Sequence, residues 1–205
     1  ARGEGRPVVD GPIFDKGGLY NIKVDIEGAT SPKVMVAEPL SFETFVSIAQ
    51  EQNFFIQTAS AQELPVIVKT YYDEVENFQY SKSSHQISFK MPFDWTPEYV
   101  EQVQVVHQEI RVPKSFDPYS AESSFVGYVD GVKVDQRALL IDPYSSETEN
   151  IVHFLITGNE LKRINDELGP SHQASGEMFF ELMPEGEVQK NSFNVAFENG
   201  YTAFI

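Results

Sequence analysis

Apolar and polar positions alternate along most of this chain. Ile22, Val24 and Ile26 are interleaved with Lys23, Asp25 and Glu27, the period-two pattern of a strand with one wet face. Short apolar runs follow at 34–37, 42–49, 54–58 and 66–72, separated by Pro, Gly, Ser and Asn. Residues 78–80 and 86–91 flank Ser81-Lys82-Ser83-Ser84-His85 as a longer-loop hairpin. Met91 to Pro97 carries two prolines and belongs at an edge or in a loop. Val103 to Val112 reads as a long strand, and Ile151 to Ile156, apolar on both faces, as a central one. Further strands are expected at 177–183, 192–197 and 201–205. One helix is predicted, over 159–168, with Asn159 as N-cap, Leu161, Ile164 and Leu168 on one stripe, and Gly169-Pro170 as the stop. About a dozen strands against one short helix predict an all-β, antiparallel, Ig-like β-sandwich.

Domain punctuation is weaker. Residues 1–10 have little to bury and are expected as a flexible arm. The proline-bearing loop Pro113-Lys114-Ser115 is the best boundary, dividing an N-terminal β lobe, 11–113, from a C-terminal β lobe, 114–205.

One phrase occurs twice near that boundary. Phe116-Asp117-Pro118-Tyr119-Ser120-Ala121-Glu122-Ser123 is echoed by Ile141-Asp142-Pro143-Tyr144-Ser145-Ser146-Glu147-Thr148. Between them lies Val129-Asp130-Gly131-Val132, a strong hairpin signal because a type I′ turn needs positive φ at both central residues. A regular hairpin over 125–141 would bring Asp117, Glu122, Asp142 and Glu147 together. Crowded hard oxygen ligands suit calcium, although Asp-Pro and Ser-rich phrases also serve as ordinary turn chemistry.

Composition narrows the partners. Fifteen Lys and Arg face 31 Asp and Glu, a net charge of −16, so nucleic acid is an unexpected partner and cations or basic surfaces are better ones. Cysteine is absent, which removes disulfides, thiolate catalysis and thiolate zinc sites. No apolar run is long enough to span a bilayer. The start at Ala1, without Met or a signal region, is the one expected of a processed mature product. No hydrolase, phosphate-loop, dinucleotide or zinc-protease motif is present, which favours a binding or structural protein over an enzyme.

Two histidines stand in similar settings, Val105-Val106-His107-Gln108-Glu109-Ile110 and Ile151-Val152-His153-Phe154-Leu155-Ile156. If their strands lie side by side, His107 and His153 share a face and, with Met91 or Met178, offer the nitrogen and thioether donors that copper prefers. Otherwise each is a hydrogen-bonded residue within a sheet. Trp95, the only tryptophan, is either a sugar-stacking platform of a carbohydrate-binding module or a plug in the core.

Residues 11–24, from Gly11-Pro12-Ile13-Phe14-Asp15-Lys16-Gly17-Gly18 onward, together with Ile87 to Trp95 and Val105 to Lys114, resemble recurring blocks of secreted surface proteins from ammonia-oxidising archaea (Thaumarchaeota). Precursors of that group often carry a C-terminal Pro-Glu-Phe-Gly sorting signal. The resemblance implies an extracellular, β-rich protein of the cell surface and supplies no catalytic residues. The expected function is therefore a structural or interaction role at the cell surface, calcium-stabilised through Asp117, Glu122, Asp142 and Glu147. Its partners would be other envelope proteins, or further copies joined through sheet edges into a filament by residues 1–10 or 201–205. A copper-binding accessory of an extracytoplasmic oxidation system, through His107 and His153, is the alternative, and a carbohydrate-binding module a third.

Overall fold

The computed structural model describes residues 14, 16–26, 30–31, 34–35, 40–58 and 60–185. In chain order the elements are β1 (Gly18–Ile26), β2 (Thr30–Ser31), β3 (Val34–Met35), β4 (Leu40–Ile48), β5 (Gln50–Gln57), β6 (Glu63–Thr70), β7 (Glu76–Ser81) and β8 (Gln86–Pro92). Then come α1 (Pro97–Gln102), β9 (Val105–Pro113), β10 (Phe125–Val129), β11 (Val132–Lys133), β12 (Leu139–Asp142), β13 (Glu149–Thr157), α2 (Gly158–Leu168) and β14 (Glu177–Pro184). Short 3-10 turns fall at Asp117–Tyr119, Gln136–Ala138 and Pro170–Ala174. All described strand pairings are antiparallel. The all-β sandwich with a short helix is what the alternating pattern predicts.

Two five-stranded sheets form the body, in the orders β11-β10-β14-β8-β7 and β12-β13-β9-β6-β5. Strand periodicity turns one row of each strand inward. Val106, Ile110 and Val112 of β9 and Val152, Phe154 and Ile156 of β13 face Ile87, Phe89 and Met91 of β8 and Met178, Phe180 and Leu182 of β14, all buried. Phe154 meets Phe180 edge to face at 5.5 Å, and Phe89 stacks on Phe180 at 5.0 Å. Gly127 of β10 allows the sheets to close, because a Cβ there would sit 2.7 Å from the Phe154 ring. Trp95 closes one end of this core. It is 0 % exposed, and its Nε1 donates to the Glu177 carbonyl at 2.9 Å, so it offers no face to a sugar.

The lobe boundary at Pro113–Ser115 does not match this topology. β8 pairs with β14, and β9 lies between β6 and β13, so both sheets interleave strands from either side of it. The hairpin also departs from expectation. Its turn forms as predicted, with Val129 opposite Val132 and positive φ at Asp130 (49°) and Gly131 (79°). Yet β11 is only two residues long, because Asp135 caps the 3-10 turn Gln136–Ala138, accepting from the Arg137 N–H at 2.8 Å, and sends the chain across to the other sheet as β12. The predicted helix spans Gly158–Leu168, with Thr157 rather than Asn159 as its cap and Gly169 at its end. α1 was not predicted; a six-residue helix that buries Val100 alone leaves no periodic signal. The expected arm at 1–10 and strands at 192–197 and 201–205 lie outside the described residues.

Candidate metal centre

β9 and β13 pair in a register that sets His153 opposite Glu109 and His107 opposite Leu155. Odd-numbered residues of both strands point away from the core, so His107, Glu109 and His153 meet on the outer face of the sheet. His107 Nε2 and His153 Nδ1 lie 3.0 Å apart, one ring donating to the bare nitrogen of the other. Glu109 Oε1 is 4.0 Å from His153 Nδ1. Ligand atoms of all three residues fall within 4.8 Å of one another.

The surrounding side chains hold this group in place. Tyr71, just beyond β6, stacks on the His107 ring at 4.4 Å and 3°, and its hydroxyl donates to Glu109 Oε1 at 2.7 Å. Arg111 donates from Nη2 to Glu109 Oε2 at 2.8 Å and from Nε at 3.2 Å. Lys69 sits 5.2 Å from the centre of the Tyr71 ring, and Glu51 of β5 lies 3.6 Å from both Lys69 and Arg111. Burial pushes the Glu109 carboxyl up, but the hydrogen bonds from Arg111 and Tyr71 outweigh it and hold the group below its ordinary range, as a carboxylate. Burial, and then the neighbouring His153, lower the basicity of His107, which keeps its imidazole neutral and able to ligate. Glu109, Glu51, Glu149 and nearby Asp142 against Arg111 and Lys69 leave the patch two negative charges in excess.

Two imidazoles and a carboxylate form a borderline donor set. Bonds of about 2.0 to 2.2 Å place neighbouring ligand atoms roughly 2.8 Å apart in the square-planar arrangement that copper(II) favours and roughly 3.4 Å apart in a tetrahedral one. The histidine nitrogens, at 3.0 Å, fall between these spacings, and Glu109 needs to close by about 0.6 to 1.2 Å from its 4.0 Å separation. Such a site leaves a coordination position open to water or a further ligand.

The other expected ligands do not join. Met91 and Met178 lie on the inner face of the opposite sheet, and Met91 Sδ accepts from Gln108 Nε2 at 3.3 Å within the core. Among the described residues no three of Asp117, Glu122, Asp142 and Glu147 bring their carboxylates within 4.8 Å of one another. The two phrases do reach one end of the sheet, through β9 and β13 rather than through the hairpin. There Lys114 joins them, its N–H donating to the Thr148 carbonyl at 2.9 Å and its Nζ to the Ser146 carbonyl at 2.7 Å. The copies also differ in role: Tyr119 is wholly buried, whereas Tyr144 is 92 % exposed. Asp142 turns back on its own loop, accepting from the Tyr144 and Ser145 N–H groups.

Fold and site together define an antiparallel two-sheet sandwich with a histidine-carboxylate cluster on an outer face. No family model, curated protein or solved structure matches this chain.

Proposed function

We propose that this chain is an extracytoplasmic β-sandwich that binds one first-row transition-metal ion, copper(II) foremost, at His107, His153 and Glu109. The observation that carries the reading is the convergence of three ligand atoms within 4.8 Å on a solvent-reachable sheet face. The absence of cysteine leaves nitrogen and oxygen donors, and for such a set affinity rises along the series to Cu(II) and falls again at Zn(II). Tyr71 and Arg111 act as outer supports that orient the carboxylate, the arrangement that metal-ligating carboxylates ordinarily have. The extracytoplasmic setting rests on the resemblance to archaeal surface proteins, and copper would serve there as stored, carried or delivered cargo. Self-association, the other role expected of a surface protein, was expected through residues 1–10 or 201–205, which lie outside the described residues.

Calorimetric titration of chelator-stripped protein tests the reading. One equivalent of Cu(II) binds, Zn(II) binds more weakly, and calcium neither binds nor competes at this site. His107→Ala and His153→Ala each weaken Cu(II) binding by at least about tenfold. Absence of a stoichiometric Cu(II) or Zn(II) isotherm, or wild-type binding in both variants, overturns it.

A further inference from the structure

A cleft of about 300 Å³ opens between α1, the C-terminal turns of α2 and the 3-10 turn Pro170–Ala174. Its walls are anchored. Val100 ties α1 to the core, and Leu161 and Ile164 tie α2 to it. Gly169 ends α2 with its N–H on the Asn165 carbonyl at 3.0 Å, and its φ of 74° turns the chain into Pro170. His172 then fixes the 3-10 turn, edge-on to the buried Trp95 ring at 5.6 Å and with Nε2 3.3 Å from Asp130 Oδ2. A cleft between anchored walls is pre-formed, as small-molecule sites ordinarily are.

The lining is chemically incomplete. Asn165 lines the cleft yet is only 8 % exposed, and its Oδ1 is buried without a hydrogen-bond partner. An acceptor left unmade in this way costs free energy, which a donor arriving from the cleft restores. The χ2 angle of an asparagine is soft, so the oxygen turns toward such a donor at little cost. Lys162 and Asp166 of α2 and Glu101 of α1 line the same cleft and are exposed, and among the described residues none of the three joins an ion pair. Arg163, beside them on α2, is by contrast bridged to Glu160 at 2.8 Å and to Glu167 at 3.0 Å. Lys162 precedes Asp166 by four residues, the less favourable order for an acid and a base along a helix.

We infer that this cleft binds a basic α-amino acid. Its carboxylate meets Lys162, and its two cationic groups meet Asp166, Glu101 and the C-terminal end of α2, whose dipole favours positive charge. One of its N–H groups donates to Asn165 Oδ1. Charge selects this class: two carboxylates against one lysine leave the cleft one negative charge in excess, which the single net positive charge of lysine or arginine balances. An acidic amino acid would add to the excess, and a simple amine would leave Lys162 unmatched. Pro97 and Pro170 give the methylenes between the charged ends an apolar wall. The volume stands at the lower end of the range for ligand sites, as a single amino acid requires.

The test is a two-dimensional nuclear magnetic resonance titration of the full chain with L-lysine and L-arginine, in metal-free buffer because amino acids chelate Cu(II). Amide shifts cluster at 97–102 and 158–174 and saturate with a dissociation constant on the order of 1 mM. L-glutamate causes no such shifts. Asn165→Leu exchanges an unpartnered buried amide for an apolar group of similar size, so it keeps or raises the urea midpoint while weakening lysine binding about tenfold. Asp166→Asn, an exposed change, weakens binding with the midpoint unmoved. Lys162→Gln weakens lysine binding but strengthens that of pentane-1,5-diamine, since it removes the carboxylate's partner and the diamine's repulsion together. Absence of saturable shifts with both basic amino acids overturns the inference. So do glutamate binding as tight as lysine, wild-type affinity in both Asn165→Leu and Asp166→Asn, or a Lys162→Gln effect of the same sign on both ligands. His107→Ala and His153→Ala leave lysine binding unchanged, so this site and the metal site stand or fall separately.

Discussion

Closure of the sandwich turns on one missing methyl group. A Cβ at Gly127 would stand 2.7 Å and 2.9 Å from Phe154 ring carbons and 3.1 Å from Leu139 Cδ1. Phe154 cannot yield freely, because it is fully buried and held edge-on to Phe180. Overpacking of this kind costs about 1 to 3 kcal/mol. Gly→Ala returns about 0.4 to 1 kcal/mol by restricting the unfolded chain. Gly127→Ala is therefore destabilised by up to about 2.6 kcal/mol, a drop in melting temperature of up to about 10 °C for a chain of this size. Urea unfolding at constant slope measures it. Phe154→Leu in the Gly127→Ala background removes the clashing ring carbons, so the double variant is more stable than the sum of the single losses predicts. A stabilising Gly127→Ala, or strict additivity in the cycle, refutes the packing argument.

Other outcomes separate structural from surface roles. Tyr119 donates to the His85 carbonyl at 2.8 Å and to the Leu182 carbonyl at 3.0 Å from a fully buried position, so Tyr119→Phe costs about 1 to 3 kcal/mol, whereas Tyr144→Phe in the second copy of the phrase stays within about 0.5 kcal/mol of wild type; equal effects in denaturation would sink the distinction. Asp130 is pushed above the ordinary carboxylate range by burial, against the Phe179 N–H, His172 and Lys90. Its native form then holds a proton that the unfolded chain has released, so its contribution to stability falls as pH rises from about 4 through the raised native value. Asp130→Asn keeps the acceptor for Phe179 and tolerates the positive φ, and its stability relative to wild type climbs with pH above about 4; a difference that does not vary with pH contradicts this. Cu(II) at a hundredfold excess over its dissociation constant adds about 2.7 kcal/mol to stability, and in His153→Ala at the same copper concentration this gain falls to about 1.4 kcal/mol or less in calorimetric melting curves.

The alternating residues of β1 and the all-apolar run of β13 were legible because period-two patterning is local. The turn at Asp130-Gly131 was legible for the same reason, since both positive φ values belong to residues that tolerate them. What the sequence concealed was where pairing stops. Val132 to Asp135 looks like the start of a full return strand, yet the Asp135 cap ends the hairpin and hands the chain to the other sheet, a choice that depends on tertiary packing. The two-lobe expectation failed for a similar reason: strands far apart in sequence, such as β6 and β13, flank β9 without any local mark of it. At the site, the matching settings of His107 and His153 did place both on adjacent strands. Glu109 was within reach of the same reasoning, because residues two apart on a strand share a face. Tyr71, Lys69 and Glu51 carry no such signal, as Glu51 and Lys69 arrive by the register of β5 and β6 and Tyr71 follows just after β6.

The most direct measurement is pulsed electron paramagnetic resonance on protein loaded with one equivalent of Cu(II), which counts coordinated imidazoles by their remote nitrogen couplings. Two imidazoles in the wild type, falling to one in His107→Ala and in His153→Ala, are the predicted result. A spectrum without imidazole coupling, or one unchanged in both variants, would place the copper elsewhere and contradict the assignment of this face as the site.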